Sequence, residues 1–325
     1  MLSDKSSPPT GGPTSRGTAA PNLGDSAAET SLRSSETSAA SAAQTSLRSS
    51  EPSAAPAARE AAAIAIAGMG LIGGSFYKAA KRAGYDVVGF DKGDVVDVHN
   101  ADVIFVALAP QIAIDWIRLH AGEFKEGAIV VDTCGVKSAI CAAFAPNGTP
   151  RPWTFVGGHP MAGKEVSGFA NSDADLFRGA SMILTPYPGT PPDVIDRLRA
   201  LFADLGFGGV AITDPAFHDE IIAYTSQLCH IVSSAYLRDG LATRHDGFSA
   251  GSFRDLTRVG APDPTLWSEL FLVNRDALLP VLDRFISRLA AFREAIAAND
   301  RPTLASQLAE GADVKAQITN KGKKN

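Results

Sequence analysis

The chain has 325 residues, 45% of them hydrophobic and 20% charged, with a formal net charge of −5. That length suits two domains of roughly 100–200 residues each, and the slight acidity offers no basic face of the kind that holds nucleic acid, so no nucleic-acid partner is expected. Cys134, Cys141 and Cys229 are odd in number and lack metal-ligand spacing, which points to free thiols in a reducing compartment and to no bound metal.

Residues 1–60 are rich in Ser, Ala, Thr and Pro, and Thr30-Ser31-Leu32-Arg33-Ser34-Ser35-Glu36 returns as Thr45-Ser46-Leu47-Arg48-Ser49-Ser50-Glu51. Such a stretch buries too little apolar surface to offset its ordering entropy, so a disordered leader is expected. It lacks a secretory apolar core. Asp4, Asp25, Glu29, Glu36 and Glu51 speak against a transit peptide. No apolar run reaches the roughly 18–20 residues of a membrane span. The expectation is a cytoplasmic protein with no membrane partner.

Order is expected from Ala61. Residues 61–67 read as a buried strand, Leu71–Ala83 as a helix stopped by Gly84, and Asp86–Phe90, Asp102–Leu108, Ala128–Asp132, Thr154–Val156 and Ser181–Leu184 as further strands. A helix over Pro191–Leu205 and a strand over Val210–Thr213 follow. Apolar strands alternating with helices predict an α/β fold, a doubly wound Rossmann-type sheet. After Asp214 the pattern becomes helical. A long helix is expected from Pro215 to Leu237, a loop over Gly247–Gly260, and a helix over Pro264–Asn299 with Leu266, Leu270, Val273, Leu278, Val281, Phe285, Leu289 and Phe292 mainly on one stripe. A last helix over Pro302–Ile318 and a solvated basic tail, 319–325, complete the chain. The domain reading is a nucleotide-binding unit over 61–190 and an all-helical unit over 191–318 that binds substrate and makes a subunit interface.

Gly68-Met69-Gly70-Leu71-Ile72-Gly73 follows a strand and opens a helix, the context that gives a glycine fingerprint its meaning. Gly68 permits the turn, Gly70 lets the backbone approach a pyrophosphate, and Gly73 lets helix and strand pack. Asp91 ends the second strand, where a carboxylate accepts from the adenine ribose and repels a 2′-phosphate. NAD is therefore favoured over NADP, although the Lys92 cation softens the repulsion. Between Asp91 and Asp102 there is no room for the usual crossover helix, so the adenine side is expected to be open.

Downstream lies Gly157-Gly158-His159-Pro160-Met161-Ala162-Gly163. Glycines and a proline exclude mid-helix, so a tight loop is expected, with His159 either a general base or a partner of the loop backbone.

These motifs, with Gly74-Ser75, Val136-Lys137, Glu165, Asp255-Leu256-Thr257-Arg258, Asp263-Pro264 and Trp267, together resemble the prephenate dehydrogenase family over about residues 61–300. The resemblance implies a Rossmann domain followed by a helical dimerisation domain, hence a homodimer. It implies NAD-dependent oxidative decarboxylation of prephenate to 4-hydroxyphenylpyruvate in tyrosine biosynthesis. It also implies that His159 is the catalytic histidine, that Arg258 binds a substrate carboxylate, and that His230 lies near substrate. The residues alone also allow Arg258 to pair with Asp255 and His230 to be a packed helix histidine. Ser226 lies four residues before His230, and Gln227 stands where some relatives carry a histidine and offers an amide to substrate. Lys137 is expected to face cofactor or substrate, or to sit in solvent; His218 either caps or packs at the helix start or has a functional role; Trp267 is read as core or interface; Cys134 is read as packing.

The sequence departs from the family at Gly135, where many relatives have serine. Thr225, rather than an acid, precedes Ser226-Gln227, which leans toward prephenate over arogenate. No regulatory ACT domain is expected after the helices. The other readings are a Rossmann-plus-helical reductase for a β-hydroxyacid or imine, which lacks the Gly-His-Pro-Met-Ala-Gly segment, and a non-catalytic NAD-binding sensor.

Overall fold

In a computed structural model of the chain, the structure describes residues 62–146, 148 and 150–322, with the side chains of 321 and 322 left out. The expected leader, 1–60, and residues 323–325 of the basic tail lie outside the described residues. Backbone of the tail at 321–322 continues the last helix.

Strands β1 (Ala63–Ala67), β2 (Asp86–Phe90), β3 (Val103–Val106), β4 (Ile129–Asp132), β5 (Thr154–Pro160), β6 (Ser181–Thr185) and β7 (Gly209–Ile212) form one sheet in the order β2-β1-β3-β4-β5-β6-β7. The strands are short and apolar on both sides because both faces are covered. Along β1, Ile64 and Ile66 enter one core with Phe76, Val103, Phe105, Ile129 and Val131, while Ala65 and Ala67 enter the opposite core with Ile104, Val106 and Val130. That is the two-residue strand period read out in burial. Helices α1 (Leu71–Arg82) and α4 (Pro192–Asp204) cover the first face; α2 (Pro110–His120) and α3 (Ser138–Ala143) cover the second. Sequence reading had proposed neither α2 nor α3. Because β7 pairs with β6 and α4 packs in the first core, the sheet layer runs to Ile212, beyond the boundary placed at 190.

The β2–β3 connection, residues 91–102, contains no helix, as its length required. One consequence is that Val88, in mid-strand, stays 45% exposed.

β5 changes partner part-way. Thr154–Val156 run parallel to β4, and Gly157–Pro160 run antiparallel to β6. The expected tight loop around His159 is therefore a strand. Glycine and proline exclude helix but not extended chain, and β6, arriving from residues 181–185, supplies the pairing. Both glycines are there for close approach: a Cβ at Gly157 would lie 2.2 Å from Thr185 Oγ1, and one at Gly158 2.5 Å from the Asp132 carbonyl oxygen.

The helical half begins with α5 (Pro215–Ile222), a wide π turn over Ala223–Gln227, and α6 (Leu228–Leu237). The helix expected from Pro215 to Leu237 is thus present as one unbroken helical run, widened midway by the π turn. α7 (Gly251–Thr257) lies inside the stretch expected to be a loop. The expected helix over 264–299 is two, α8 (Pro264–Val273) and α9 (Arg275–Ala297), parted at Asn274. The Asn274 side chain donates to the Asp219 carbonyl and to Gln227 Oε1, so it is buried at a corner. α10 (Arg301–Gly322) closes the described chain. Among the described residues, no helix is long and apolar enough to cross a membrane, and no group of three or more His, Cys, Asp or Glu is placed to hold a metal.

Candidate active site

At the end of β1, Gly68 takes φ 91° and donates its N–H to the Phe90 carbonyl, 2.8 Å away. Its missing Cβ makes room for the Ala107 carbonyl oxygen, which a Cβ would meet at 2.4 Å. Gly73 is required by contact alone, since a Cβ there would sit 1.9 Å from the Gly68 oxygen. Gly70 differs: nothing lies within 4 Å of where its Cβ would be, and the N-terminus of α1 has no side-chain cap. An open glycine at an uncapped helix N-terminus is the shape a pyrophosphate requires. The place is right too, since β2 and β3 flank β1 on opposite sides and open a crevice at the strand ends. Met69 covers Gly89, Ile72 packs on the first core, and the Leu71 carbonyl accepts from Ser75 Oγ at 2.7 Å. Asp91 stands exposed just past β2, its Oδ1 accepting from the Lys92 N–H at 2.9 Å. This is a fit for a dinucleotide.

His159 lies half-buried in β5, with Nδ1 2.9 Å from Nε2 of His218. His218 in turn holds its Nδ1 2.7 Å from Asp219 Oδ1. The sequence leaves His218 between a capping or packing role and a functional one, and it gives no signal for Asp219. α5 places both in the core: Asp214 caps the helix by accepting the Phe217 N–H at 2.9 Å, Pro215 starts it, and the next turn carries His218 and Asp219 inward. The Asp219 carboxylate also accepts the backbone N–H groups of Lys137 and Ser138, at 2.7 and 2.8 Å, and so caps α3 from 81 residues away. Burial alone would raise its pKa, but these bonds, led by that from His218, hold it below the ordinary carboxylate value. Burial, then the His218 ring and the Lys137 ammonium, push the His159 pKa well below the ordinary histidine value.

Lys137 faces neither ligand nor solvent. It is fully buried and ion-paired with Asp132 at the end of β4. Burial works against its charge, but the adjoining carboxylate outweighs that and keeps its pKa raised. Asp132 also accepts the Cys134 N–H at 2.9 Å and the Gly158 N–H at 3.1 Å, which ties β4 to the residue before His159. Cys134 is packed as expected. It is buried beneath the Leu108 carbonyl, and desolvation raises its thiol pKa well above the ordinary value.

Gly135 borders the other ring nitrogen of His159. A Cβ there would lie 3.9 Å from Nε2 and 3.8 Å from Leu270 of α8. One turn earlier on α8, Trp267 lies against His230, with ring centroids 3.6 Å apart. His230 Nδ1 is 2.9 Å from the Val259 carbonyl, so it donates there. Burial and then Arg258 lower its pKa. Arg258 itself is exposed and does not take Asp255. Its Nη1 lies 2.6 Å from Oε1 of Glu165, six residues beyond His159. Thus α8 and the segment after β5 link the His159 and Arg258 ends of the site. Gln227 is not available to a substrate. It is buried, with Nε2 on the Leu270 carbonyl at 3.2 Å and Oε1 taken by Asn274 at 2.7 Å, and it ties the π turn to the corner between α8 and α9. Ser226 is half-buried in the π turn, which displaces it from the simple helical spacing to His230.

Residues 71–210 match the nucleotide-binding domain of prephenate dehydrogenase, and residues 214–310 match its dimerization domain. A cyclohexadienyl dehydrogenase of Zymomonas mobilis is 33% identical over 266 residues, covering 73% of this chain and 89% of that protein. The chain belongs to the prephenate dehydrogenase family. The prephenate dehydrogenase of Bacillus subtilis is 28% identical over 74% of this chain and 72% of that one. Among solved structures, the Synechocystis arogenate dehydrogenase superposes with a TM-score of 0.66 at 25% identity, covering 79% of this chain and 99% of that chain. The family's two parts meet in this chain between residues 210 and 214, where β7 gives way to the Asp214 cap of α5.

Proposed function

We propose that the chain is an NAD-dependent dehydrogenase that converts prephenate to 4-hydroxyphenylpyruvate, with His159 as general base. The observation that carries this reading is the pairing of His159. Nδ1 is engaged by His218, while Nε2 borders the unfilled side of Gly135, at the end of the sheet that carries the dinucleotide fingerprint. NAD, when bound, supplies the hydride acceptor. Gly68, Gly70 and Gly73 would seat its pyrophosphate and Asp91 its adenine ribose.

The protein's own work is to bind and orient the acid, exclude water and accept a proton. The ring alcohol of prephenate gives its proton to His159 Nε2 as the carbinol carbon is oxidised, and loss of carbon dioxide with aromatisation makes the step effectively irreversible. A depressed pKa keeps the imidazole neutral and ready at pH 7. Arg258 would exchange Glu165 for a substrate carboxylate, a trade that the exposure of both residues permits. Ser226 and His230 would border the same substrate.

One observation favours arogenate as a second substrate. Glu165 stands beside Arg258, and a carboxylate there could hold the ammonium that arogenate carries in place of the keto group. Thr225 is neutral and offers no such charge, and its hydroxyl is already given to the Ile221 carbonyl at 2.8 Å. A homodimer through the helices is part of the same reading. It is supported by apolar side chains left exposed on α9 and α10, among them Ile286, Leu289, Ile296 and Leu308.

The test is the initial rate of NADH or NADPH formation with prephenate and arogenate, each crossed with NAD and NADP. Prephenate with NAD is expected to be fastest. No absorbance change with any of the four pairs would overturn the dehydrogenase reading and leave the sensor.

A further inference from the structure

We propose that His218 and Asp219 are positioning residues that set the ring tautomer of His159 and receive its Nδ1 proton when Nε2 takes one up. The proposal rests on the reading of His159 as base and deepens it. An ionised carboxylate can only accept, so with Asp219 Oδ1 at 2.7 Å the hydrogen must sit on His218 Nδ1. A neutral His218 is then bare at Nε2 and can only accept. His159 Nδ1, 2.9 Å from it, must donate. What remains on His159 is a bare Nε2 on the Gly135 side. The carboxylate thus fixes, through two rings, the one tautomer that can take a proton from a substrate alcohol, and the base needs no hydroxyl at position 135 to orient it.

The proton balance closes within the same groups. As an O–H bond of the alcohol breaks and an N–H bond forms at His159 Nε2, His159 carries hydrogens on both nitrogens. Its Nδ1–H bond then breaks, and an N–H bond forms at His218 Nε2. One positive charge has moved one ring inward, and no protein group has been oxidised or reduced.

The charges around the two rings say which one should hold that cation. His159 feels the Lys137 ammonium, and among the described residues no carboxylate hydrogen-bonds to it. Asp132 is spent on Lys137 and on the N–H groups of Cys134 and Gly158. His218 touches Asp219 directly. A cation on the inner ring therefore touches a carboxylate, and one on the outer ring feels Asp219 only from a distance, against the nearby Lys137 ammonium.

Ring-nitrogen NMR on the full chain labelled with ¹⁵N-histidine reads the tautomers without any turnover. His159 and His218, assigned through single Asn variants, are both expected as Nδ1–H; an Nε2–H form of His159 overturns the proposal. For the transfer, kcat/KM in H₂O–D₂O mixtures should give a bowed proton inventory in the unaltered enzyme and a straight one in His218→Asn. That variant should lose about 10²-fold or more in kcat, with substrate KM and NADH binding by fluorescence within about threefold. A kcat within threefold of the parent, or a loss matched by KM and NADH binding, overturns the positioning role. If the parent turns over neither prephenate nor arogenate yet shows both Nδ1–H rings, the functional reading fails and the tautomer assignment stands.

Discussion

The two ends of the site are built on opposite plans. Around His159 every polar group is buried and committed: Asp132 to Lys137 and two backbone N–H groups, Asp219 to α3 and to His218, and His218 to His159. Around Arg258 the contacts are few, and the main one is a single ion pair whose partners are 67% and 50% exposed. A base must be held in one orientation and one protonation state, which favours a low-dielectric, fully bonded setting. An arm that captures an anion must release its resting partner, and an exposed ion pair worth only about 0–1 kcal/mol allows that.

Four substitutions would break or sharpen that contrast. His159→Asn should have the largest effect, lowering kcat roughly 10²–10⁴-fold with NADH binding intact. In the parent enzyme, rate should fall as pH drops through the depressed His159 pKa, so the acid limb of the kcat profile should lie below about pH 6.5, the ordinary histidine value. A limb at or above that value would mean that His159 is not the titrating base. Asp132→Ala should cost about 3–5 kcal/mol in urea unfolding, because it strands the buried Lys137 charge. A loss under about 1 kcal/mol would show that the buried end is no more committed than the exposed one. Arg258→Gln should raise the prephenate KM tenfold or more, in line with about 1.5–3 kcal/mol for a charged hydrogen bond, while kcat changes only a few-fold. An unaltered KM would remove Arg258 from substrate capture. Glu165→Gln should matter least to the fold, shifting unfolding by no more than about 1 kcal/mol; a shift as large as that of Asp132→Ala would erase the contrast.

Much of the nucleotide end was legible in the chain. Gly68, Gly70 and Gly73 act through turn geometry and contacts made within a few residues or across one strand pair. The strands announce themselves by apolar runs of the right length, and the short 91–102 segment could not hide a helix. The helical half was harder. α7 is seven residues long, and its two ends lie among glycines and small residues that read as a loop. The break at Asn274 depends on where that side chain finds partners, Asp219 and Gln227, which are 55 and 47 residues away.

The same physics separates what the sequence determined alone from what required the tertiary fold. Local chemistry determined the glycine turn, the acidic end of β2 and the presence of a histidine where no helix could form. The tertiary structure decided what Gln227, His218 and Asp219 do, because each acquires its role from groups dozens of residues distant; it also decided that Lys137 is buried with Asp132, five residues earlier. A lysine reads as a surface charge until a carboxylate meets it in the core. An aspartate at the start of a helix reads as ordinary until two backbone N–H groups and an imidazole converge on it. Sequence spacing encodes neighbours along a helix or strand. It does not encode which buried charge a crossing element will bring.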